Sequence, residues 1–414
     1  MKKQIILLST LISLLFFSIF SDSCRKPEDL FPEIQKMTDS ISFDGAFAVP
    51  LVDTEFLILN FVPEGDSSLW VSFDDEDLAH LRMYYSGLID FQMNELYDLP
   101  YPAPQSFPIP ADSLTIGTDT SKMKVYSKML TGHLYFDDPK IKFIFYNEIP
   151  IVTFYRLDTL LMYDANNVQL SHTEDTKYTI AAPTIQGETV KDSILIDKNR
   201  IPDLPTVFSP VPKYIRFITT TGSSEIQNLP FEVDGSENFR MDAEIDLPLE
   251  ARLEDLVMGD TLDFVDLDSD TYNNIDSLVL KIEFNNGYPF EAVSQIYITD
   301  TTDLGEIGYY IDSLFSDTSA EDIYEDGWHF ESAETDASGI VKENGAKKSM
   351  AIIRLNKERL DFLRDEHASK IVINSTLNSY DQSNGLDIRI MSYYKLGLRI
   401  GVKVDISGNT SDTK

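Results

Sequence analysis

The chain has 414 residues, 43% hydrophobic and 25% charged, enough apolar material for two or three domains with real cores. Its 69 acidic and 34 basic residues give a net charge of −35, which opposes nucleic-acid phosphates and anionic lipid headgroups alike. One cysteine rules out an internal disulfide and a cysteine-based metal site, while 25 Phe and 20 Tyr favour strands over helices.

Met1-Lys2-Lys3 is a short basic start, and Ile5 to Phe20 is apolar. That run is short of the roughly 20 residues of a membrane span and suits the core of a signal peptide. Ser21-Asp22-Ser23-Cys24 follows. It resembles a lipobox, although Ser21 stands where Leu is usual. The resemblance implies cleavage before Cys24 and its acylation. Three acyl chains would form a stable anchor where one is marginal. Arg25-Lys26-Pro27-Glu28-Asp29 resembles the export signal of Bacteroidota lipoproteins, with Pro27 as an interruption. This implies an outer-membrane protein facing the exterior. Gly45-Ala-Phe-Ala-Val-Pro-Leu51 is similar to a phrase after the tether in many uncharacterised lipoproteins of that group.

The expected division is a signal peptide at 1–23, a lipidated tether at 24–40, an N-terminal β-domain at 41–220 and a C-terminal β-domain at 221–414. Strand patterns begin at Ile41 and Phe56. Asp74 to Tyr84, with its acidic start, reads as a short helix. Leu99 to Pro110 is proline-dense and reads as a linker or a crossing loop. Period-two patterns then recur at 133–136, 141–146, 151–161, 193–196, 214–219, 239–247, 278–284, 295–299, 349–355, 370–373, 387–393 and 396–404. One further helix is capped by Asn356, with Leu360, Leu363 and His367 near one face. The fold class is mainly β: two β-sandwich-like domains with one or two short helices.

A weak internal repeat aligns Ile141-Lys-Phe-Ile-Phe-Tyr-Asn147-Glu-Ile-Pro150 with Leu280-Lys-Ile-Glu-Phe-Asn-Asn286-Gly-Tyr-Pro289. The same shift pairs Leu157 with Ile296 and Asp137 with Asp276. Either the two domains are related, or two ordinary strand–turn–strand units coincide. As a repeat, it resembles the paired β-domains of late-embryogenesis and lipid-transfer proteins, which implies a carrier of hydrophobic ligands.

Catalytic motifs are not apparent. The five histidines include no pair at metal-ligand spacing, and no Gly-x-Ser-x-Gly elbow occurs. Asp266, Asp268 and Asp270 offer oxygens at alternate positions, as a Ca²⁺ loop does. Thr271 and Ser277 stand where an EF-hand needs Gly and Glu, so a solvated loop is the simpler reading and Ca²⁺ the alternative. Asp followed by Ser or Thr and then an apolar residue or Thr recurs eight times, at Ser40, Ser113, Thr159, Ser193, Thr261, Ser277, Thr301 and Ser313. This resembles the O-glycosylation sequon of exported Bacteroidota proteins; a turn passing into a strand uses the same residues. The expected protein is not an enzyme. It is a lipid-anchored binding or accessory component at the outer membrane, partnered by an outer-membrane protein or an extracellular polymer, and not by nucleic acid. The alternatives are a lipid carrier and a glycan-active enzyme.

Overall fold

The computed structural model describes residues 47–61, 68–164, 169–173, 177–263, 275–301, 307–315, 323–324, 327–381 and 384–406. Antiparallel strands dominate, and the chain divides into two compact units. The first comprises residues 66–251. The second comprises residues up to 65 and from 252 onward.

In chain order the principal strands begin with β1 (Phe47–Phe56), which belongs to the second unit. The first unit then supplies β2 (Leu69–Phe73), β3 (Ala79–Gln92), β4 (Asp112–Gly117), β5 (Lys140–Asn147) and β6 (Thr153–Tyr163). It continues with β7 (Gln169–Thr173), β8 (Lys177–Ile180), β9 (Val190–Ile196), β10 (Tyr214–Ser223) and β11 (Asn238–Pro248). The second unit resumes with β12 (Glu250–Asp263), β13 (Ile275–Asn286), β14 (Phe290–Thr301), β15 (Ile307–Ser313) and β16 (Gly327–Phe330). It ends with β17 (Lys347–Asn356), β18 (Lys370–Ser379) and β19 (Leu396–Ile406). Among the described residues the α-helices are α1 (Met93–Leu96), α2 (Leu204–Phe208) and α3 (Lys357–Asp365).

Each unit is two sheets facing across an apolar core. In the first, one sheet runs β9-β5-β11-β3-β2; the other runs β6-β10-β4, with β7 and β8 on the far side of β6. Phe143 and Phe145 of β5 reach across to Tyr155 of β6 at 5.4 and 4.9 Å, and Phe143 meets Phe217 of β10 edge-on at 5.2 Å. In the second, one sheet runs β17-β13-β19-β1; the other runs β14-β18-β12, with β15 and β16 on the far side of β14. Phe284 of β13 meets Trp328 and Phe330 of β16 at 5.3 and 5.2 Å.

The two units share one strand order. In sequence, β3, β4, β5, β6, β7/β8, β9, α2, β10 and β11 correspond to β1, β12, β13, β14, β15/β16, β17, α3, β18 and β19. The match extends to side chains. Ile141, Phe143, Phe145, Asn147 and Ile149 are buried, as are Leu280, Ile282, Phe284, Asn286 and Tyr288, each 139 residues later. Phe239, Met241, Ala243, Ile245 and Leu247 are buried, as are Leu396, Leu398, Ile400, Val402 and Val404, each 157 residues later. Between these stretches the shift changes, so a single offset aligns only the short phrase legible in the sequence. The first unit is thus inserted between the first two strands of the second.

At both Asn-x-x-Pro corners the chain crosses from one sheet to the other. Asn147 Oδ1 accepts the Ile149 N–H at 3.0 Å, and Asn286 Oδ1 accepts the Tyr288 N–H at 2.9 Å. Each side chain thereby closes a turn two residues long.

Two expectations differ. Asp74 to Tyr84 is a turn leading into β3, because Asp74 Oδ1 accepts the Glu76 and Leu78 N–H groups at 2.9 Å and spends its acidic start on that turn. The units divide after Ala251 and not at 220/221, because β11 pairs with β5 and β3. Of the two readings of the proline-dense stretch the crossing loop holds: within the first unit it carries the chain from β3 in one sheet to β4 in the other, Ala103 bridging Val233 and Ile109 pairing with Gln227, with both apolar side chains buried. The helix capped by Asn356 is present as α3, with Asn356 Oδ1 accepting the Arg359 N–H at 2.9 Å. Among the described residues no helix is long and apolar enough to cross a membrane.

Candidate functional site

Alternation along β5, β11 and β3 sends odd positions such as Phe143 and Phe145 inward and turns even ones to the outer face, while in β9 the even residues Ile194 and Ile196, paired with Phe143 and Ile141, face inward. That outer face is an ordered polar surface. Its centre is Asp242 of β11, whose side chain is fully buried. Register places Ser86, Gly87 and Leu88 of β3 opposite this one residue, since Met241 pairs with Ile89 and Ala243 with Tyr85. Gly87 has φ +62°, a backbone angle that glycine adopts without strain. Its N–H donates to Asp242 Oδ1 at 2.7 Å. Arg240 donates to both carboxylate oxygens, at 2.9 and 2.8 Å, and the Tyr84 hydroxyl donates to Oδ2.

Four hydrogen bonds fill the roughly four acceptor sites of a carboxylate. Burial alone would raise the Asp242 pKa, but the bonds from Arg240, Gly87 and Tyr84 outweigh it and hold the carboxyl below its ordinary value. Burial, together with the bond to Asp242, pushes Tyr84 up to about 12. Asp242 is therefore a fixed acceptor that pins the bulge, not a proton carrier near neutral pH. Asp158 on β6 repeats the device, accepting from Arg156 Nε at 2.5 Å and Thr220 Oγ1 at 2.6 Å where the register slips beside Thr219.

Around Asp242 the surface is charge-paired. Arg82 bonds Glu244 at 2.8 Å and Asp246 at 3.1 Å, and His80 Nδ1 lies 2.7 Å from Asp246. Tyr146 carries the Arg240 guanidinium at 5.2 Å and the Lys191 ammonium at 5.4 Å from its ring centroid. Beside β3, Ser68, Met83, Tyr85, Ser121, Lys122 and Lys124 line a depression of about 220 Å³, smaller than the ~300–1,000 Å³ of common small-molecule pockets.

Replacing Asp242 by Ala is expected to cost about 2–3 kcal/mol, because the bulge N–H and Arg240 lose their acceptor while the 39%-exposed Arg240 recovers part of its solvation. The Asp242 contribution is fully present above the unfolded carboxyl pKa of about 3.9 and is lost as pH falls through the lower folded value. Urea midpoints of wild type and Asp242→Ala should therefore differ at pH 7 and converge in strong acid. A gap that persists unchanged into strong acid would contradict this.

Cys24, Ser40, Asp266, Asp268 and Asp270 lie outside the described residues. The other seven candidate hydroxyls sit on separate strands and form no common site. Asp112, Asp192, Asp260 and Asp312 each accept the N–H of the following Ser or Thr, at 2.8, 2.7, 2.9 and 2.8 Å. Ser113, Ser193 and Thr261 are exposed. Thr159 is half-buried, Ser277 donates to Asp405 at 2.7 Å, Thr301 accepts from Ser369 at 3.1 Å, and the Ser313 hydroxyl is buried. Any sugar that glycopeptide mapping finds at these seven positions should be on Ser113, Ser193 or Thr261 before any of those four. Occupancy of Ser313 with these three bare would refute that order. No three His, Cys, Asp or Glu side chains stand together as metal ligands among the described residues. The Asp242 cluster was invisible in sequence, since Gly87 and Arg240 meet only through strand register.

These features define a mainly β protein built from two β-sandwich-like units of one topology. No protein-family model and no curated protein matches the chain. Among solved structures it is similar to a candidate secreted protein of Parabacteroides distasonis ATCC 8503, at 12% identity and TM-score 0.39, covering 88% of this chain and 100% of that one. It is also similar to the VP2 subviral particle protein of infectious bursal disease virus, at 5% identity and TM-score 0.21, covering 81% and 43%. A third is the CBM22-1-CBM22-2 tandem domain of Paenibacillus barcinonensis Xyn10C, at 7% identity and TM-score 0.16, covering 86% and 98%. At these scores the likeness says nothing of activity, ligand or partner.

Proposed function

We propose that this is a lipid-anchored binding or accessory protein of the outer membrane, facing the exterior and holding a partner without turning it over. The observation that supports this most is the outer face around Asp242. Its Arg, Asp, Tyr and Glu groups are locked into one another, with the central carboxylate saturated by four donors. A rigid, pre-paired surface loses little freedom on association, which favours recognition. A general acid or base would need an unsaturated group poised near neutral pH. The partner is an outer-membrane protein or an extracellular polymer, reached from a tether acylated at Cys24.

The test is a pull-down of the acylated protein from native outer membranes with mass spectrometry, beside a Cys24→Ser variant. Wild type is expected in the membrane fraction with a stoichiometric partner or bound polymer, and Cys24→Ser in the soluble fraction. Enzyme-like turnover of a polysaccharide would overturn the non-catalytic reading, and acyl chains recovered from the folded protein would favour a carrier.

A further inference from the structure

The shared topology makes the two outer faces comparable residue by residue. Buried positions of β11 and β19 match at a constant shift of 157, so the outward residues between them match too. Asp242, Glu244 and Asp246 of the first unit correspond to Arg399, Gly401 and Lys403 of the second. At the same place in the same fold, two acids have become cations and the third a glycine. At Gly401 an added Cβ would meet nothing within 4 Å, so the sheet is open there.

Neighbouring strands reinforce the change. Lys281 lies opposite Gly401, and Val279 lies between Arg354 and Lys403. Glu283 lies opposite Arg399, with Lys281 Nζ at 2.5 Å. The bond to Lys281, with the charges of Lys281, Arg399 and Lys348, holds the Glu283 carboxyl below its ordinary value. The outward positions of β17, β13 and β19 thus carry five cations, Lys281, Lys348, Arg354, Arg399 and Lys403, all exposed, against the carboxylates of Glu283 and Asp405. The whole chain has twice as many acids as bases, so these three strands invert the sign of the molecule; acids return at the β1 edge of the sheet, where Asp53 pairs with Arg399 and Glu55 with Gly397.

We infer that the outer face of the β17-β13-β19 sheet binds a linear anionic polysaccharide, one bearing carboxylate, sulfate or phosphate groups. Charge complementarity selects an anion. A thin polymer lies along one face, whereas a membrane plane would also meet acidic surface within a Debye length of ~8 Å. The outward residues of these strands include no aromatic ring on which bases could stack, which favours a polysaccharide over single-stranded nucleic acid.

The choice of a polysaccharide rests on the surface-binding reading above. The test measures binding of the acylated full chain, in detergent, to dextran sulfate and to neutral dextran of equal length. Dextran sulfate should bind, more weakly as salt rises, and dextran should not. Arg354→Glu with Lys403→Glu should weaken binding about tenfold or more, with thermal unfolding unchanged; Lys403→Arg should preserve it. Lys177→Glu, an exposed position on β8 in the other sheet of the first unit, should leave it unchanged. The inference is overturned by failure to bind dextran sulfate, or by equal losses from Lys177→Glu and the double variant. Duplex DNA or phospholipid vesicles binding as tightly as dextran sulfate would overturn it as well. Binding of neutral dextran alone, or capture of an outer-membrane protein alone, would end this inference and leave the surface-binding reading standing.

Discussion

Asn286→Ala is expected to lower the unfolding free energy of the second unit by about 2–4 kcal/mol. The side chain is fully buried, and it accepts the Tyr288 N–H at 2.9 Å while donating to the Phe290 and Glu331 carbonyls at 2.8 and 2.9 Å. Alanine removes all three bonds and leaves those backbone groups without water to replace them. Asn147→Ala should act on the first unit and cost somewhat less, since Asn147 donates only to the Ala181 carbonyl, at 2.9 Å, and accepts from Ile149. The two tryptophans separate these effects, because Trp70 lies in the first unit and Trp328 in the second. Urea unfolding followed by fluorescence in Trp70→Phe and Trp328→Phe backgrounds gives each unit its own signal. Asn286→Ala should move the Trp328 transition most. Equal movement of both transitions, or a change under about 0.5 kcal/mol, would remove the corner from the account of stability.

Phe145→Ala is expected to cost more, about 3–5 kcal/mol, the range for deleting a buried aromatic side chain. Phe145 is fully buried, and its ring lies 4.9 Å from Tyr155 and 5.9 Å from Phe239. It therefore belongs to both sheets of the first unit, and its loss opens a cavity between them. Phe145→Leu keeps much of the volume and should cost under about 1.5 kcal/mol. Urea midpoints with unchanged slopes would measure both substitutions. Near-equal effects would mean that the core collapses onto the gap.

Local chemistry was legible in the sequence and long-range pairing was not. The alternation at 141–146 announces β5 because one face of it is buried, and Asn356 announces α3 because capping is a contact of a few residues. The Asp74 turn shows the limit: an acid at the head of a periodic stretch suits a helix start or a tight turn, and the strand pairing of β3 with β2 and β11 decides between them. The repeat surfaced only at the Asn-x-x-Pro corner, where buried polar chemistry restricts the choice of residue; elsewhere any apolar side chain of suitable size fills the matching position, as Phe239 and Leu396 do. The polar cluster around Asp242 depends on which residues a bulge sets opposite one another, and no spacing in the chain records that.

The nesting of one unit inside the other sets a timetable. Residues 66–251 are contiguous and hold all the strands of their own two sheets, so they can close as soon as they emerge. β1 leads the chain but pairs with β19, Phe47 against Val404. It must wait, with one edge unsatisfied, until almost the whole chain has been delivered. The first of the described strands is thus among the last to be secured. The second unit completes its folding only when nearly the whole chain is available, and β1 is the stretch that a protease or a chaperone meets in the interval.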